Sequence, residues 1–372
     1  MCENHTVETL QSWAEIGERV TEARRAAGLS QADLARRVGM DRTALVRVEA
    51  GERRVSALEL MRFAEQLDVP PAHLMTRPPE AVVSRRTRLD EGADLASRER
   101  YRLDAALQTH VRHAEWLVGR GFLSPSEPVP PPKSVDQQSA VDLARRARQA
   151  VGAPTGPLGS LATVAEHLGL YLTVVDQDVD GASVLLDGLG VAVVGGRADP
   201  GRRRWTAAHE IGHHLLQDAY HSDVGIGTSR DDREQVIELF AGEFLLPEDD
   251  LRSAWSAGVS ELGPRMLLVR LAGRYRLSWS AVVWLAGRAG LTESDETRHL
   301  RAHNPVRGDF LAVCGNEPPP DLEVGATGEQ WKRAVMAAWN AGAVTTARVV
   351  ELLHGTITAD DLPTGSSLDG DL

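Results

Sequence analysis

The sequence predicts a multidomain protein in which an all-α helix-turn-helix bundle precedes an α+β domain with a helical C-terminal extension. A length of 372 residues favours two or three domains. Four short segments of helical periodicity, the first three followed by a glycine, fill residues 16–75. A proline-rich stretch at residues 124–132 then precedes a region in which helical segments alternate with short β-rich runs.

The composition is typical of a water-soluble globular chain, with 42% hydrophobic residues, 25% charged residues and no apolar run long enough to cross a bilayer. Residues 1–15 are acidic and polar and lack the pattern of a secretory signal, so we expect a cytoplasmic protein with no membrane partner. The two cysteines, Cys2 and Cys314, exclude a disulfide framework and a thiolate-rich zinc site within the chain.

Charge is distributed unevenly along the chain. The formal net charge is −12, but residues 24–54 contain eight arginines and four acidic residues, a local excess of four positive charges. A solvated helical face has the same composition, so charge alone leaves nucleic-acid binding and a plain helix surface both open.

Residues 12–76 have the pattern of four short helices. Gly28, Gly39 and Gly51 are placed to end the first three, while Ser30 and Asp41 are placed to cap the second and third. We expect the third helix over residues 42–50 and the fourth over residues 58–67. Apolar residues at helical spacing are Ile16, Val20, Ala23, Leu34, Ala35 and Val38. The third helix of such a bundle can enter a DNA major groove.

This segment resembles the Xre-type (lambda-repressor-like) DNA-binding domains, through Gly28-Leu29-Ser30-Gln31, Leu34-Ala35, Val48-Glu49-Ala50-Gly51 and Leu67-Asp68-Val69. The resemblance implies that Gln31 holds a phosphate and that Arg42, Thr43 and Arg47 face base edges of double-stranded DNA. It also implies an ion pair between Arg24 and Glu49. We further expect a homodimer, because paired recognition helices read a palindrome more tightly. A bundle used only for dimerisation or partner docking is the alternative.

Residues 77–133 are predicted to be a helical connector that ends in the proline-rich linker. A long helix is expected from about Asp94 to Arg120. Its apolar face is expected to pack on a neighbouring part of the protein or on a second subunit. That face consists of Leu103, Leu107, Val111, Ala114 and Leu117.

Residues 134–258 are predicted to form the α+β domain. Helices are expected over residues 140–151 and 161–168, and strands over residues 171–175, 182–186 and 191–194. Asp187-Gly188 and Gly195-Gly196 supply turn residues, so a small sheet beside helices is the simplest arrangement.

The motif His209-Glu210-Ile211-Gly212-His213 is the HExxH pattern. Positions four apart lie on one face of a helix, so His209 and His213 can offer imidazole nitrogens to one ion, with Glu210 beside it as a general base. The helix is expected to bury its other side through Trp205, Ala208, Ile211 and Leu215. His214 should point elsewhere, and the following Tyr220 or His221 could donate to an oxyanion.

Glu234 opens a predicted helix that runs to Leu246, and it is the candidate third metal ligand. A catalytic zinc site needs three protein ligands and an open position, which a carboxylate from a second helix completes. A helix-start carboxylate stabilised by the helix dipole is the alternative interpretation of Glu234. Glu238, one turn further on, is the candidate second-shell partner of a ligating histidine.

Residues 140–291 resemble the ImmA/IrrE-type metallopeptidases, through Arg204-Trp205-Thr206, the HExxH motif, and Glu234 to Phe240-Ala241 and Leu245-Leu246-Pro247. The resemblance implies a zincin-like fold and a zinc metalloendopeptidase with one Zn²⁺ per chain, Mn²⁺ being the alternative ion. Gly181-Ala182-Ser183 also fits the family's layout. Ile237-Glu238 departs from the Ala-Asn or Ala-Asp of the family, which leaves the second-shell partner open.

Residues 259–362 are predicted to be the helical extension, and residues 363–372 a disordered tail. Within the extension, residues 267–291 read as two helices around a turn, which we expect to pack on the catalytic domain, with a second DNA-contacting motif as the alternative. Residues 330–353 are expected to form a helical pair that docks on the body.

Two functions from different classes follow from these segments. The first is a DNA-binding regulator whose zinc endopeptidase cleaves a repressor protein and so derepresses stress or mobile-element genes. The second is a DNA-binding transcription factor, or antitoxin-like regulator, whose peptidase fold is a non-catalytic sensor. Resemblance to a family supports the first by analogy, and the intact ligand set favours hydrolysis.

Overall fold

The computed structural model describes residues 12–76, 84–86, 93–125, 129–132, 134, 136–186, 188–216 and 230–363. The N-terminal bundle, residues 12–76, contains α1 (Trp13–Ala26), α2 (Gln31–Val38), α3 (Arg42–Glu49) and α4 (Ala57–Leu67), followed by a 3₁₀ turn (Pro71–Leu74). The predicted helix-turn-helix bundle is therefore confirmed. No helix in these ranges is long and apolar enough to span a membrane.

Local sequence explains the ends of these helices. Ser30 caps α2 by accepting a hydrogen bond from the Asp33 amide, and Gly39 ends it at a φ of +72° that glycine adopts without strain. Asp41 occupies the N-cap position of α3, but within the described chain its side chain makes no capping hydrogen bond, which corrects the predicted cap. The bundle packs closely, since a Cβ on Gly17 of α1 would lie 2.4 Å from the carbonyl oxygen of Val48.

The segment predicted as a connector belongs to the body of the protein. A short strand β1 (Ser84–Arg86), which the sequence pattern did not predict, joins the sheet. Helix α5 (Ala93–Gly119) buries its predicted apolar face against that sheet, so the neighbour it packs on is in the same chain.

Helix α5 also packs against the N-terminal bundle. Its Ala105 is part of the bundle's hydrophobic core. Gln108 accepts from Nη2 of Arg19 at 3.4 Å and lies 2.8 Å from Nδ1 of His73. Arg112 donates to Oγ1 of Thr76 at 2.5 Å. The bundle and the body therefore share one continuous helix.

The sheet lies between two layers of helices. Helices α6 (Gln137–Ala150) and α7 (Leu161–His167) precede β2 (Leu170–Val175), β3 (Gly181–Leu186) and β4 (Leu189–Gly195). The strand order is β1-β3-β4-β2, with β2 parallel to β4 and the other two pairs antiparallel. Alternate strand residues face opposite layers: Leu172 and Val174 face the layer that contains α6 and α7, while Val184 and Val191 face α5.

Helix α8 (Pro200–Leu216) and helix α9 (Arg230–Leu245) follow the sheet. The sequence predicted one buried side for α8, but every residue from Arg203 to Leu216 is buried, because the helix lies between the sheet and α9. Helix α9 begins at Arg230 and not at Glu234, so Glu234 lies inside the helix and not at its start. The dipole interpretation of Glu234 is thereby weakened.

The C-terminal helices complete both layers. Helix α10 (Glu248–Tyr275) kinks at Gly263-Pro264, and α11 (Trp279–Arg288) packs with it in the core on the α6 side, as expected of the predicted helical pair. Helices α12 (Ser294–Ala302) and α13 (Arg307–Cys314) follow. Helices α14 (Glu329–Asn340) and α15 (Thr346–Leu352) dock beside α5 on the opposite face. The predicted tail lies outside the described residues from residue 364 onward.

Candidate metal centre and DNA-reading face

The HExxH histidines face each other on α8. Nε2 of His209 lies 3.0 Å from Nε2 of His213, and both side chains are buried. The spacing of four residues places both rings on one side of the helix, as predicted. Two ring nitrogens at this distance form the start of a metal site.

Glu234 is the third member of this group. Its Oε2 lies 3.3 Å from Nε2 of His209 and its Oε1 lies 4.0 Å from Nε2 of His213. The three ligand atoms all lie within 4.8 Å of one another. Helix α9 packs closely on α8 because Gly212 has no side chain, and a Cβ there would lie 2.9 Å from Cδ1 of Phe240. This close packing brings the carboxylate of Glu234 to the two histidines.

Glu210 lies next to the two histidines and is completely buried. Its Oε2 accepts a hydrogen bond of 2.6 Å from Oγ of Ser183 on β3. Gly181, on the same side of that strand, allows the approach, since a Cβ there would lie 3.1 Å from Oε1 of Glu210. This role of Ser183 was not predicted from the sequence. A polar residue inside an otherwise apolar strand was the available signal.

Glu238 lies behind the first histidine. Its Oε1 is 3.5 Å from Nδ1 of His209, and its Oε2 accepts a hydrogen bond of 2.6 Å from Nε1 of Trp205. The carboxylate therefore faces the ring nitrogen that points away from Glu234. This is the position from which a carboxylate fixes the tautomer of a ligating histidine.

A buried ion pair anchors the N-terminal half of α8. Arg204 pairs with Asp321, and its Nη1 also donates to the carbonyl of Gly159 at 3.0 Å. Burial lowers the pKa of Arg204 to about 10, so the guanidinium remains charged at neutral pH. This anchoring role of Arg204 was not predicted from the sequence, in which Arg204 is part of the basic lead to the motif.

His214 points away from the centre, as expected. Its Nε2 faces the carbonyl oxygen of Leu168 at 3.2 Å, and its ring packs against Gly190. Burial lowers the pKa of His214 to about 4, which keeps the ring neutral. Tyr220 and His221, the expected oxyanion donors, lie outside the described residues.

The N-terminal bundle presents an exposed face on α3. Arg42, Thr43 and Arg47 are all exposed on this helix. Glu49 at its end forms the expected ion pair with Arg24, with Nε–Oε1 and Nη2–Oε2 distances of 2.6 and 3.1 Å. Gln31 donates to Oε2 of Glu49 at 2.8 Å, so its amide is held at the start of α2 by a protein partner.

A helix-turn-helix domain joined to a metallopeptidase domain is the class of protein that this fold and these side chains define. Residues 20–74 match the family model described as helix-turn-helix, and residues 173–283 match the model described as the IrrE N-terminal-like domain. The chain thus carries an Xre-type helix-turn-helix domain fused to an ImmA/IrrE-type metallopeptidase domain, as predicted.

Comparison with individual proteins gives two similar chains. Over 132 residues the chain is 30% identical to the radiation response metalloprotease IrrE of Deinococcus radiodurans, a match that covers 35% of this chain and 36% of that relative. The chain thus spans about a third of the length of this relative. The crystal structure of the restriction-modification controller protein C.AhdI from Aeromonas hydrophila is 40% identical, with a TM-score of 0.17, and covers 17% of this chain and 96% of that one.

Proposed function

We propose that this chain is a DNA-binding transcriptional regulator whose zinc-dependent endopeptidase domain cleaves a repressor protein and so derepresses stress or mobile-element genes. The observation that carries this proposal is the grouping of His209, His213 and Glu234, with ligand atoms within 4.8 Å of one another, beside the buried Glu210. A general base next to a two-histidine, one-carboxylate set is the arrangement that metal-assisted amide hydrolysis requires.

The three side chains fit a zinc-type ion, with manganese as the alternative. Two buried imidazole nitrogens 3.0 Å apart can share a proton or a metal ion, and the adjacent carboxylate of Glu234 adds the negative charge that favours a cation. When bound, such an ion supplies positive charge that polarises a scissile carbonyl and acidifies a water molecule.

Glu210 is the proposed general base and acid. It takes a proton from the attacking water and returns it to the leaving amine, so that the peptide C–N bond breaks with atoms and charge in balance. Ser183 donates to Oε2 and fixes the rotation of the carboxylate. Exclusion of solvent from Glu210 strengthens its interaction with a proton donor.

Glu238 and Trp205 are proposed as positioning residues. Trp205 donates to one oxygen of Glu238, so the other oxygen is directed at Nδ1 of His209. This contact favours the tautomer that leaves Nε2 available to an ion.

The outer edge of β3 is the proposed binding position of the substrate backbone. This edge runs beside Glu210, and Ser84–Arg86 of β1 pairs with it antiparallel, in register with Gly181–Ser183. An extended peptide adds to a sheet edge through the same main-chain hydrogen bonds. A substrate segment would have to displace β1, so Arg85→Pro/Arg86→Pro, which removes the one amide of these two consecutive residues that is directed at β3, should raise kcat/KM for an extended peptide. An unchanged kcat/KM would place the substrate elsewhere.

The exposed side chains of α3 are proposed to contact double-stranded DNA. Arg42 and Arg47 have the two-pronged donors that match guanine, and Thr43 can contact a neighbouring base edge. The start of α2 at Gln31 is the proposed phosphate contact. Binding as a homodimer would set two such helices on one palindrome.

The deciding experiment compares Glu210→Gln with the unmutated chain, using co-expressed repressors as substrates. We expect the variant to retain its metal and to lose cleavage, because the amide keeps the shape of the side chain but accepts no proton. Glu329→Gln is the matched control, since Glu329 is exposed and pairs only on the surface with Arg333.

The sensor function predicts a different outcome of the same experiment. If genes are still derepressed with Glu210→Gln, and neither this variant nor the unmutated chain produces a repressor fragment, the peptidase domain acts as a non-catalytic sensor. If the unmutated chain cuts and Glu210→Gln does not, the endopeptidase is supported.

A further inference from the structure

A second group of histidines lies outside the centre formed by His209 and His213. His110 and His113 are one helical turn apart on α5, and His354 follows α15. Each offers one ring nitrogen, and the three nitrogens lie within 4.8 Å of one another. Side chains from α5 and from the segment that follows α15 therefore lie close together.

His110 and His113 are buried and His354 is half-buried, and each ring has a buried nitrogen without a hydrogen-bond partner among the described residues. His110 is 1% exposed, and its hydrogen bond with a backbone group of Tyr171 leaves its other ring nitrogen without a partner among the described residues. Nδ1 of His113 and Nε2 of His354 are likewise buried and unpartnered within the described chain. Buried polar atoms in this condition require an explanation.

Packing alone explains part of this group. The ring of His110 lies 4.4 Å from that of Trp331, and the ring of His354 is stacked on Trp331 at 6.3 Å. Apolar or aromatic side chains would serve such packing without leaving ring nitrogens buried and unpaired.

A carboxylate lies beside one of the three rings. Nε2 of His113 is 3.6 Å from Oε1 of Glu351 and 3.3 Å from Nη1 of Arg348. Arg348 and Glu351 form an ion pair of 2.6 Å, so their charges balance next to the ring. Arg348 can only donate to Nε2 and favours a lone pair there, whereas a proton on Nε2 directed at Glu351 leaves Nδ1, the unpartnered atom, with the lone pair. This is the carboxylate–histidine arrangement that accompanies metal ligands.

The backbone at His354 adds an independent observation. His354 has a φ of +52°, in the left-handed region that side-chain-bearing residues rarely adopt, and the next residue is a glycine at +72°. A glycine at position 354 would adopt this conformation with less strain. The conformation brings the imidazole back against α5, which agrees with a role for the ring itself.

We propose that His110, His113 and His354 bind a second divalent transition-metal ion of the zinc type. Three imidazoles and no thiolate favour zinc, nickel or copper over calcium or magnesium. Nitrogens in a tetrahedral zinc site lie about 3.4 Å apart, so these three need to approach by roughly 1 Å, which ring rotations can supply. The proposal does not depend on the activity of the first centre.

The ion would link the segment after α15 to α5. Residues of the same stretch of α5, Gln108 and Arg112, contact the N-terminal bundle. A metal bound to His110 and His113 therefore stabilises the helix on which the bundle is seated, and its role is structural.

The test is the zinc content of the full chain, measured as zinc per protein after dialysis against trace zinc. We expect two zinc ions per unmutated chain and one in His354→Gln. His209→Gln should also hold one, retained at the second group, and His209→Gln/His354→Gln none. His303→Gln is the matched control, because His299 and His303 form an exposed pair with only two rings, and it should keep two.

The outcomes separate the two sites. If the unmutated chain holds one zinc ion, His354→Gln keeps it and His209→Gln loses it, the second site is refuted and the first stands. If His354→Gln loses the only ion and His209→Gln keeps it, the first site fails. Should His354→Gln not fold, hydrogen exchange of residues 346–352 in His209→Gln decides: added zinc should slow the exchange, and no change would overturn the proposal.

Discussion

A single added methyl group at Gly212 tests whether the packing of α9 on α8 sets the metal centre. Gly212 lies between the two histidines of the HExxH motif, and a Cβ there would lie 2.9 Å from Cδ1 of Phe240 and 3.1 Å from Cγ2 of Ile237. Ordinary carbon contacts are about 3.5–4.0 Å, so α9 would have to retreat by roughly 0.5–1 Å. Metal–ligand distances tolerate only about 0.2 Å, and Glu234 moves with α9.

The expected effect of Gly212→Ala divides between stability and metal binding. Overpacking of a filled core costs about 1–3 kcal/mol. If α9 stays in place, that cost lowers the free energy of unfolding of the metal-free protein. If α9 retreats, zinc affinity falls, and a loss of about 1.4 kcal/mol corresponds to tenfold.

Two measurements cover both cases: thermal unfolding of the metal-free chain and zinc affinity by competition with a chromophoric chelator. Gly308→Ala in α13 is the control, since a Cβ there would meet no described atom within 4 Å and replacing a helical glycine stabilises by about 0.5–1 kcal/mol. A Gly212→Ala protein that matches the unmutated chain in both unfolding temperature and zinc affinity would refute the reasoning.

Three further predictions concern the N-terminal bundle. Arg47→Ala should weaken binding to a duplex selected from random sequence by about 1–3 kcal/mol, while Arg36→Ala, whose side chain pairs with Asp33 on the surface, should change it little; equal losses would contradict base contact by Arg47. Glu49→Gln should destabilise the bundle by roughly 3 kcal/mol, because it leaves the buried guanidinium of Arg24 without its charge partner, and an unchanged melting temperature would contradict this. Burial and the charge of Arg19 lower the pKa of His73 to about 3. Between pH 6.5 and 3 the unfolded chain therefore binds a proton at His73 that the folded chain does not bind. Stability should therefore fall as the pH drops from 6.5 towards 3, more steeply than in His73→Gln, as measured by urea unfolding at each pH.

Features that depend on neighbouring residues could be predicted from the sequence. The helix ends at Gly28, Gly39 and Gly51 follow from the backbone freedom of glycine, and each of them has a positive φ. The spacing of His209 and His213 fixes their common face, because it depends only on the helical repeat.

Features that depend on distant residues could not be predicted in this way. Ser183 contacts Glu210 only because β3 crosses beside α8, and nothing local to either residue encodes that crossing. Strand β1 has no strand pattern of its own and forms by pairing with β3. The burial of α8 on all sides also comes from tertiary packing, which overrides the amphipathic pattern.

The sharing of α5 between the N-terminal bundle and the body has a consequence for how a target would be chosen. Because Ala105 and Gln108 join the bundle to the helix that covers the sheet, the candidate metal centre would lie at a set position relative to any duplex that the bundle binds. A protein bound to adjoining DNA would then meet this centre at an effective concentration on the order of millimolar, as for short tethers. Proximity along the chromosome would thus select the target in addition to the residues around the scissile bond.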